Sequence, residues 1–160
     1  MAIAVGNRLP EATLTIMGAE GPKPITASEL LGSGKVVLFA VPGAYTPTCS
    51  AKHLPGFIEN ADKFREKGVD HLVCMAVNDV FVMDAWGKSS GVSQQVTMAA
   101  DGNGEFSRAL GLEMDGTAFG MGKRSQRFAM IINNGVVEQV LVEAPGEFRV
   151  SSAEYVLDQL

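Results

Sequence analysis

Val36 to Val41 is an unbroken run of apolar, β-favouring residues, and from Thr48 to Lys67 the pattern turns helical. A strand of that kind has no polar face, so it belongs in a sheet covered on both sides. In the stretch after it, Leu54, Phe57, Ile58, Ala61 and Phe64 recur at three- and four-residue steps, and Gly68 provides a stop. Pro55 lies inside this stretch and predicts a kink or break. A buried strand running into an amphipathic helix already points to an α/β fold.

The rest of the chain supports that class. Residues 18–24, Gly-Ala-Glu-Gly-Pro-Lys-Pro, read as a loop. Thr26 and Glu29 have capping-box spacing and open a short helix through Leu31, ended at Gly32. Val69 to Val77 reads as a second buried strand, Phe81 to Trp86 as part of a helix, and Val96 to Ala99 as a short strand stopped by Asp101-Gly102. A helical segment follows near Phe106 to Leu110. Arg127 to Ile132 and Val136 to Val142 flank Asn133-Asn134-Gly135, a strong hairpin signal. Ser151 and Glu154 have capping-box spacing before a last helix that ends at Leu160. The order is strand, helix, strand, helix, strand, helix, hairpin, helix, which predicts a mixed central sheet with helices on both faces. With 160 residues and no linker or repeat, residues 1–160 are expected to form a single domain.

Charge and cysteine usage narrow the function. The net charge of −5 argues against a nucleic-acid partner, because nothing neutralises a row of phosphates. No apolar run reaches the roughly 18 residues of a membrane span, and the first residues lack the pattern of a secretory signal. Two cysteines, Cys49 and Cys74, are too few for a disulfide-stapled secreted fold, so a reducing, cytoplasmic setting is expected. With two histidines and no CxxC or HxxxH spacing, a zinc site is not expected.

Pro42-Gly43-Ala44-Tyr45-Thr46-Pro47-Thr48-Cys49 joins the end of the first buried strand to the start of the long helical stretch. Cys49 therefore falls in a first helical turn, where free N–H groups and the helix dipole favour a negative charge. The thiolate is the reactive form of cysteine, so Cys49 reads as an activated nucleophile. Taken alone, the residues leave its reaction open.

That segment resembles the Pro-x-x-x-(Thr/Ser)-x-x-Cys signature of the peroxiredoxins. Lys52-His53-Leu54-Pro55-Gly56-Phe57, Val77-Asn78-Asp79 before Trp86, and Arg127-Phe128-Ala129-Met130 resemble the type II, peroxiredoxin-five-like subgroup. The similarity runs from about Val5 to Leu160. It implies a thioredoxin-like fold and reduction of hydrogen peroxide and organic hydroperoxides, with no metal or bound cofactor. By position it makes Cys49 the peroxidatic cysteine and completes the pocket with Pro42, Thr46 and Arg127. In these roles Pro42 would shield the sulfur from water, Thr46 would donate a hydrogen bond to the peroxide, and Arg127 would stabilise thiolate and transition state.

Each of these residues has a plainer reading. Pro42 could end the strand and Thr46 could cap the helix. Arg124 competes with Arg127, which is preferred because it directly precedes Phe-Ala-Met. His53 shares a helical face with Cys49 and tempts a Cys–His hydrolase reading, but no orienting carboxylate or oxyanion hole is identifiable, so a structural role is expected. Cys74 reads as a small core residue, with a resolving thiol as the alternative. Some type II members carry a resolving cysteine near the C-terminus; here the aligned residues are Val150-Ser151-Ser152-Ala153. Ser151 is expected to cap the last helix, and an external thiol, glutathione with glutaredoxin or thioredoxin, to recycle the Cys49 sulfenic acid. A peroxide sensor that relays oxidation to a partner protein uses the same chemistry and is the alternative; a thioredoxin-fold binding module without chemistry is a third. The resemblance also implies a homodimer, for which the apolar loop residue Phe119 is suited, unless it lines the pocket.

Overall fold

The computed structural model describes residues 2–160. Nine strands and six α-helices follow in the order β1 (Thr13–Gly18), β2 (Gly21–Thr26), α1 (Ala27–Leu31), β3 (Lys35–Ala40), α2 (Leu54–Glu59), α3 (Ala61–Glu66), β4 (His71–Ala76), α4 (Val80–Ser89), β5 (Thr97–Ala100), α5 (Glu105–Leu110), β6 (Glu113–Asp115), β7 (Lys123–Ser125), β8 (Phe128–Asn133), β9 (Val136–Val142) and α6 (Ala153–Asp158). Seven strands form one mixed sheet in the order β2-β1-β5-β4-β3-β8-β9. The pairs β3–β4 and β4–β5 are parallel, while β8 runs antiparallel to both β3 and β9. None of the helices is long and apolar enough to cross a membrane.

The central strands are buried on both faces because their alternate residues feed two separate cores. Val37, Phe39, Cys74 and Ala76 pack under α2, α3, α4 and α6; Val36, Leu38, Val73 and Met75 pack under α1 and α5. This is the mixed sheet with helices on both faces that the strand and helix patterns predict.

Two local expectations need correction, and the break expected near Pro55 is present in a particular form. Residues 18–24 are not a loop: they form the tip of the β1–β2 hairpin and most of β2. Pro22 and Pro24 are tolerated because β2 is an edge strand, where an absent N–H breaks no interior ladder bond. Near Pro55 the predicted break takes the form of a π-helical turn, Cys49–His53, in which the Leu54 N–H reaches the Cys49 carbonyl. Pro55 then lies in the first turn of α2, where its missing donor is harmless. A second break, at Asn60, separates α2 from α3; the Asn60 side-chain amide donates to the Gly56 carbonyl and competes with the helical ladder. Finally, α6 is capped by Ser152, which accepts from the Tyr155 N–H, and not by Ser151. Among the readings that hold, the α1 capping box is present in both directions, and Asn134 and Gly135 carry the positive φ angles of the β8–β9 turn.

Candidate active site

The site forms where β3 ends. Val41 still bonds to β4 through the Met75 carbonyl, and the chain then turns through Pro42 to Thr46. The Ala44 N–H donates to Asn78 Oδ1, and Tyr45 adopts a φ of 65°, so this turn is held from outside and locally strained. Helical structure begins at Pro47 and the first ladder bond joins the Ser50 N–H to the Thr46 carbonyl, which places Cys49 in the first turn. Trp86 on α4 fixes the same turn by donating from Nε1 to Ser50 Oγ at 2.9 Å.

The antiparallel register of β8 brings in the guanidinium. Phe128 pairs with Ala40, the last residue of β3, so Arg127 lies beside the end of β3 although it is 78 residues from Cys49. Arg127 Nη2 donates to Cys49 Sγ at 3.0 Å, and Nη1 meets His53 Nδ1 at 2.8 Å. The rival, Arg124, spends its donors on the carbonyls of Met121 and Val77.

His53 is fully buried among Phe39, Phe57 and Phe148, with ring centroids 5.2, 5.7 and 5.0 Å away. Its Nε2 lies 2.9 Å from the Ser151 carbonyl, which can only accept, so Nε2 carries the proton and Nδ1 offers a lone pair to Arg127. Burial first, and the Arg127 charge second, push the imidazole down to about 3. His53 is therefore a neutral acceptor at neutral pH and does not act as a base toward Cys49. A measurable consequence follows for stability. Below about pH 6.5, the ordinary value for histidine, the unfolded chain takes up a proton that the folded chain refuses. Stability is then expected to fall by up to about 1.4 kcal/mol per pH unit on acidification. Chemical denaturation of the wild type between pH 6.5 and 5, compared with His53→Gln, should show this slope only in the wild type.

Of the site residues named by the resemblance, Pro42 and Arg127 line a cavity of about 470 Å3, together with Thr48, Met114, Ala144 and Pro145. Cys49 itself has no exposed surface. Pro42 follows the strand end, as its plainer reading has it, and also lines the cavity. Thr46 needs a correction: its hydroxyl donates to the Gly43 carbonyl at 2.8 Å, so its hydrogen is already committed and its oxygen is left as an acceptor rather than a donor. A larger cavity, about 590 Å3 between α4 and β5, contains neither cysteine nor histidine.

Cys74 sits on β4 opposite Phe39, fully buried. Burial, reinforced by Cys49, pushes its thiol well above the usual cysteine range, with Arg127 only partly opposing. It is a protonated core thiol, a poor nucleophile toward an oxidised Cys49. Changing Cys74 to Ala is expected to cost about 1 kcal/mol of stability and to leave the rate of peroxide consumption within about twofold, as read by calorimetry and a peroxide assay.

Sequence reasoning missed the hold on Arg127. The run around His53 marks the residue without naming its partner, and Glu143 carried no signal. Its Oε2 accepts from the Arg149 N–H, the Ser151 N–H and the Ser151 hydroxyl, at 2.6, 2.8 and 2.7 Å. Burial raises the Glu143 carboxyl, but these hydrogen bonds outweigh it and the net displacement is downward.

A sulfur in the first turn of a helix, hydrogen-bonded by a guanidinium on a thioredoxin-like sheet, defines a thiol-dependent oxidoreductase. Residues 4–157 match the Redoxin family. The chain is 51% identical over 163 residues to the chloroplastic Peroxiredoxin-2E-2 of Oryza sativa subsp. japonica, covering 99% of this chain and 72% of that one. It is 46% identical to Peroxiredoxin-2B of Arabidopsis thaliana, covering 99% and 98%. The crystal structure of reduced Prx3 in complex with H2O2 from Vibrio vulnificus superimposes with a TM-score of 0.94 at 53% identity, covering 98% of each chain. The protein belongs to the peroxiredoxins, type II, and is a thiol peroxidase.

Proposed function

We propose that Cys49 is the peroxidatic residue and that the chain reduces hydrogen peroxide and small organic hydroperoxides. The observation that carries this is the 3.0 Å bond from Arg127 Nη2 to Cys49 Sγ. A peroxide reaches the sulfur past Pro42, Thr48 and Arg127. The sulfur attacks the near oxygen, an S–O bond forms as the O–O bond breaks, and the far oxygen leaves with the electron pair and takes a proton. The products are a Cys49 sulfenic acid and water or an alcohol. Arg127 donates to the charge that moves from sulfur to oxygen, and Thr46 Oγ accepts the peroxide hydrogen.

An external thiol, glutathione with glutaredoxin or thioredoxin, recycles the sulfenic acid. The supporting observations are that both cysteines are free, that the Cys74 thiol is buried and protonated, and that Val150-Ser151-Ser152-Ala153, the region where some subgroup members carry a cysteine, contains none. The proposed setting is a reducing, cytoplasmic one that supplies such thiols. We further propose a homodimer paired through the loops beside the site; Phe119 is 82% exposed and Tyr45 53% exposed, which suits such a contact. Phe119 does not line the cavity next to Cys49.

The deciding assay compares glutathione/glutaredoxin with thioredoxin as electron donor, followed by mass spectrometry of peroxide-treated protein. Turnover with one donor and sulfenic acid or a mixed disulfide on Cys49 is expected. A quantitative Cys49–Cys74 disulfide within one chain would rule out the external route.

A further inference from the structure

We infer that Glu143 and Ser151, far from Cys49 in sequence and not in contact with its sulfur, are positioning residues that hold Arg127 in its working orientation through His53. The inference rests on the peroxidase reading and adds to it a control point outside the cysteine turn.

Arg127 uses both arms of its guanidinium at the site. Nη2 is directed at Cys49 Sγ and Nη1 at His53 Nδ1. The second bond exists only while Nδ1 is bare. If the ring proton moved to Nδ1, two donors would face each other at 2.8 Å, and the guanidinium would have to leave. What keeps the proton on Nε2 is the Ser151 carbonyl at 2.9 Å. Since the ring is fully buried and neutral, bulk solvent cannot take over that role.

The carbonyl of Ser151 is in turn fixed by the peptide that carries it. Ser151 is fully buried, and its N–H and hydroxyl both donate to Glu143 Oε2. The same oxygen accepts from the Arg149 N–H, so one carboxylate closes residues 144–150 into a loop. That loop bears on the site twice more. Ala144 and Pro145 line the cavity next to Cys49, and Phe148 lies against His53, with the Arg127 guanidinium 5.9 Å from its ring centre. Glu143 stands beside Arg127 itself, its N–H bonded to the Arg127 carbonyl at 3.0 Å. The connection is therefore continuous: carboxylate, Ser151 peptide, imidazole, guanidinium, sulfur.

Groups that orient a reacting side chain from behind commonly change rate by about tenfold or more when removed. Glu143→Gln should slow the second-order reaction of the protein with hydrogen peroxide by about tenfold. Ser151→Ala, which removes one of the three bonds to the carboxylate, should slow it less. Two readouts separate positioning from a general loss of structure. Nitrogen-15 NMR of labelled histidine should show His53 protonated on Nε2 in the wild type and a mixture of the two ring tautomers in Glu143→Gln. In an Arg127→Lys background, where the forked contact no longer exists, adding Glu143→Gln should change the rate by less than about twofold. An undiminished tenfold loss in that background would overturn the inference, as would an unchanged His53 tautomer in either variant. Should Glu143→Gln fail to fold, the same tautomer and coupling measurements on Ser151→Ala decide the matter. A wild type that consumes no peroxide would instead refute the peroxidase reading, and the tautomer measurement would still test the geometry.

Discussion

Replacing Cys49 by Ser is expected to lower peroxide consumption by about 10⁴-fold or more, the scale seen when a catalytic nucleophile is removed. A hydroxyl is far harder to ionise than a thiol, and a helix N-terminus plus one guanidinium cannot close that gap. Oxygen is also a weak nucleophile toward an O–O bond. The side chains are nearly the same size, and the site is a turn held from outside by Asn78 and Trp86, so the fold should persist. Stopped-flow or competition kinetics with hydrogen peroxide measures the rate, and circular dichroism checks the fold. Should the Ser variant keep its rate while Cys74→Ala lost it, the roles assigned to the two sulfurs would be reversed.

The second large effect concerns Arg127. Changing it to Gln removes the donor to Cys49 Sγ and the donor to His53 Nδ1 together. Loss of a single preorganised donor to a charged transition state costs about 10²- to 10³-fold, and this change should fall in that range. Lys is no substitute, because one ammonium cannot reach sulfur and imidazole with the geometry of a fork. Arg124→Gln is the matched control. Its guanidinium bonds to the carbonyls of Met121 and Val77, so its loss should appear in stability and spare most of the rate. Equal losses from the two variants would mean that the contact with Cys49 is not what matters.

Much of this was legible in the sequence because it is written in local pattern. Val36 to Val41, Val69 to Val77 and the Asn134-Gly135 turn specify their elements through apolar runs and turn chemistry, and the observed strands fall within a residue or two of them. The Pro42-to-Cys49 segment was visible as a strand-to-helix junction, enough to single out the sulfur. The β1–β2 hairpin was not, since Pro22 and Pro24 signal a loop until it is known that β2 lies at the edge of the sheet. Ser151 looked like a helix cap by spacing, yet its hydroxyl goes to Glu143 because the chain brings a buried carboxylate within 2.7 Å. Thr46 was assigned a donor role that the Gly43 carbonyl had already taken.

By itself, the order of residues determined the alternation of strands and helices, the burial of the central strands and the placement of Cys49 in a first helical turn. All of these depend on neighbours a few positions apart. Only the tertiary structure decided what stands around that sulfur. Arg127 arrives because β8 runs antiparallel to β3, and Ser151 and Glu143 arrive because β9 and the loop after it fold back over the site. The reason is physical: hydrogen bonds between groups 74, 78 and 98 residues apart depend on strand register and packing, which no local periodicity encodes.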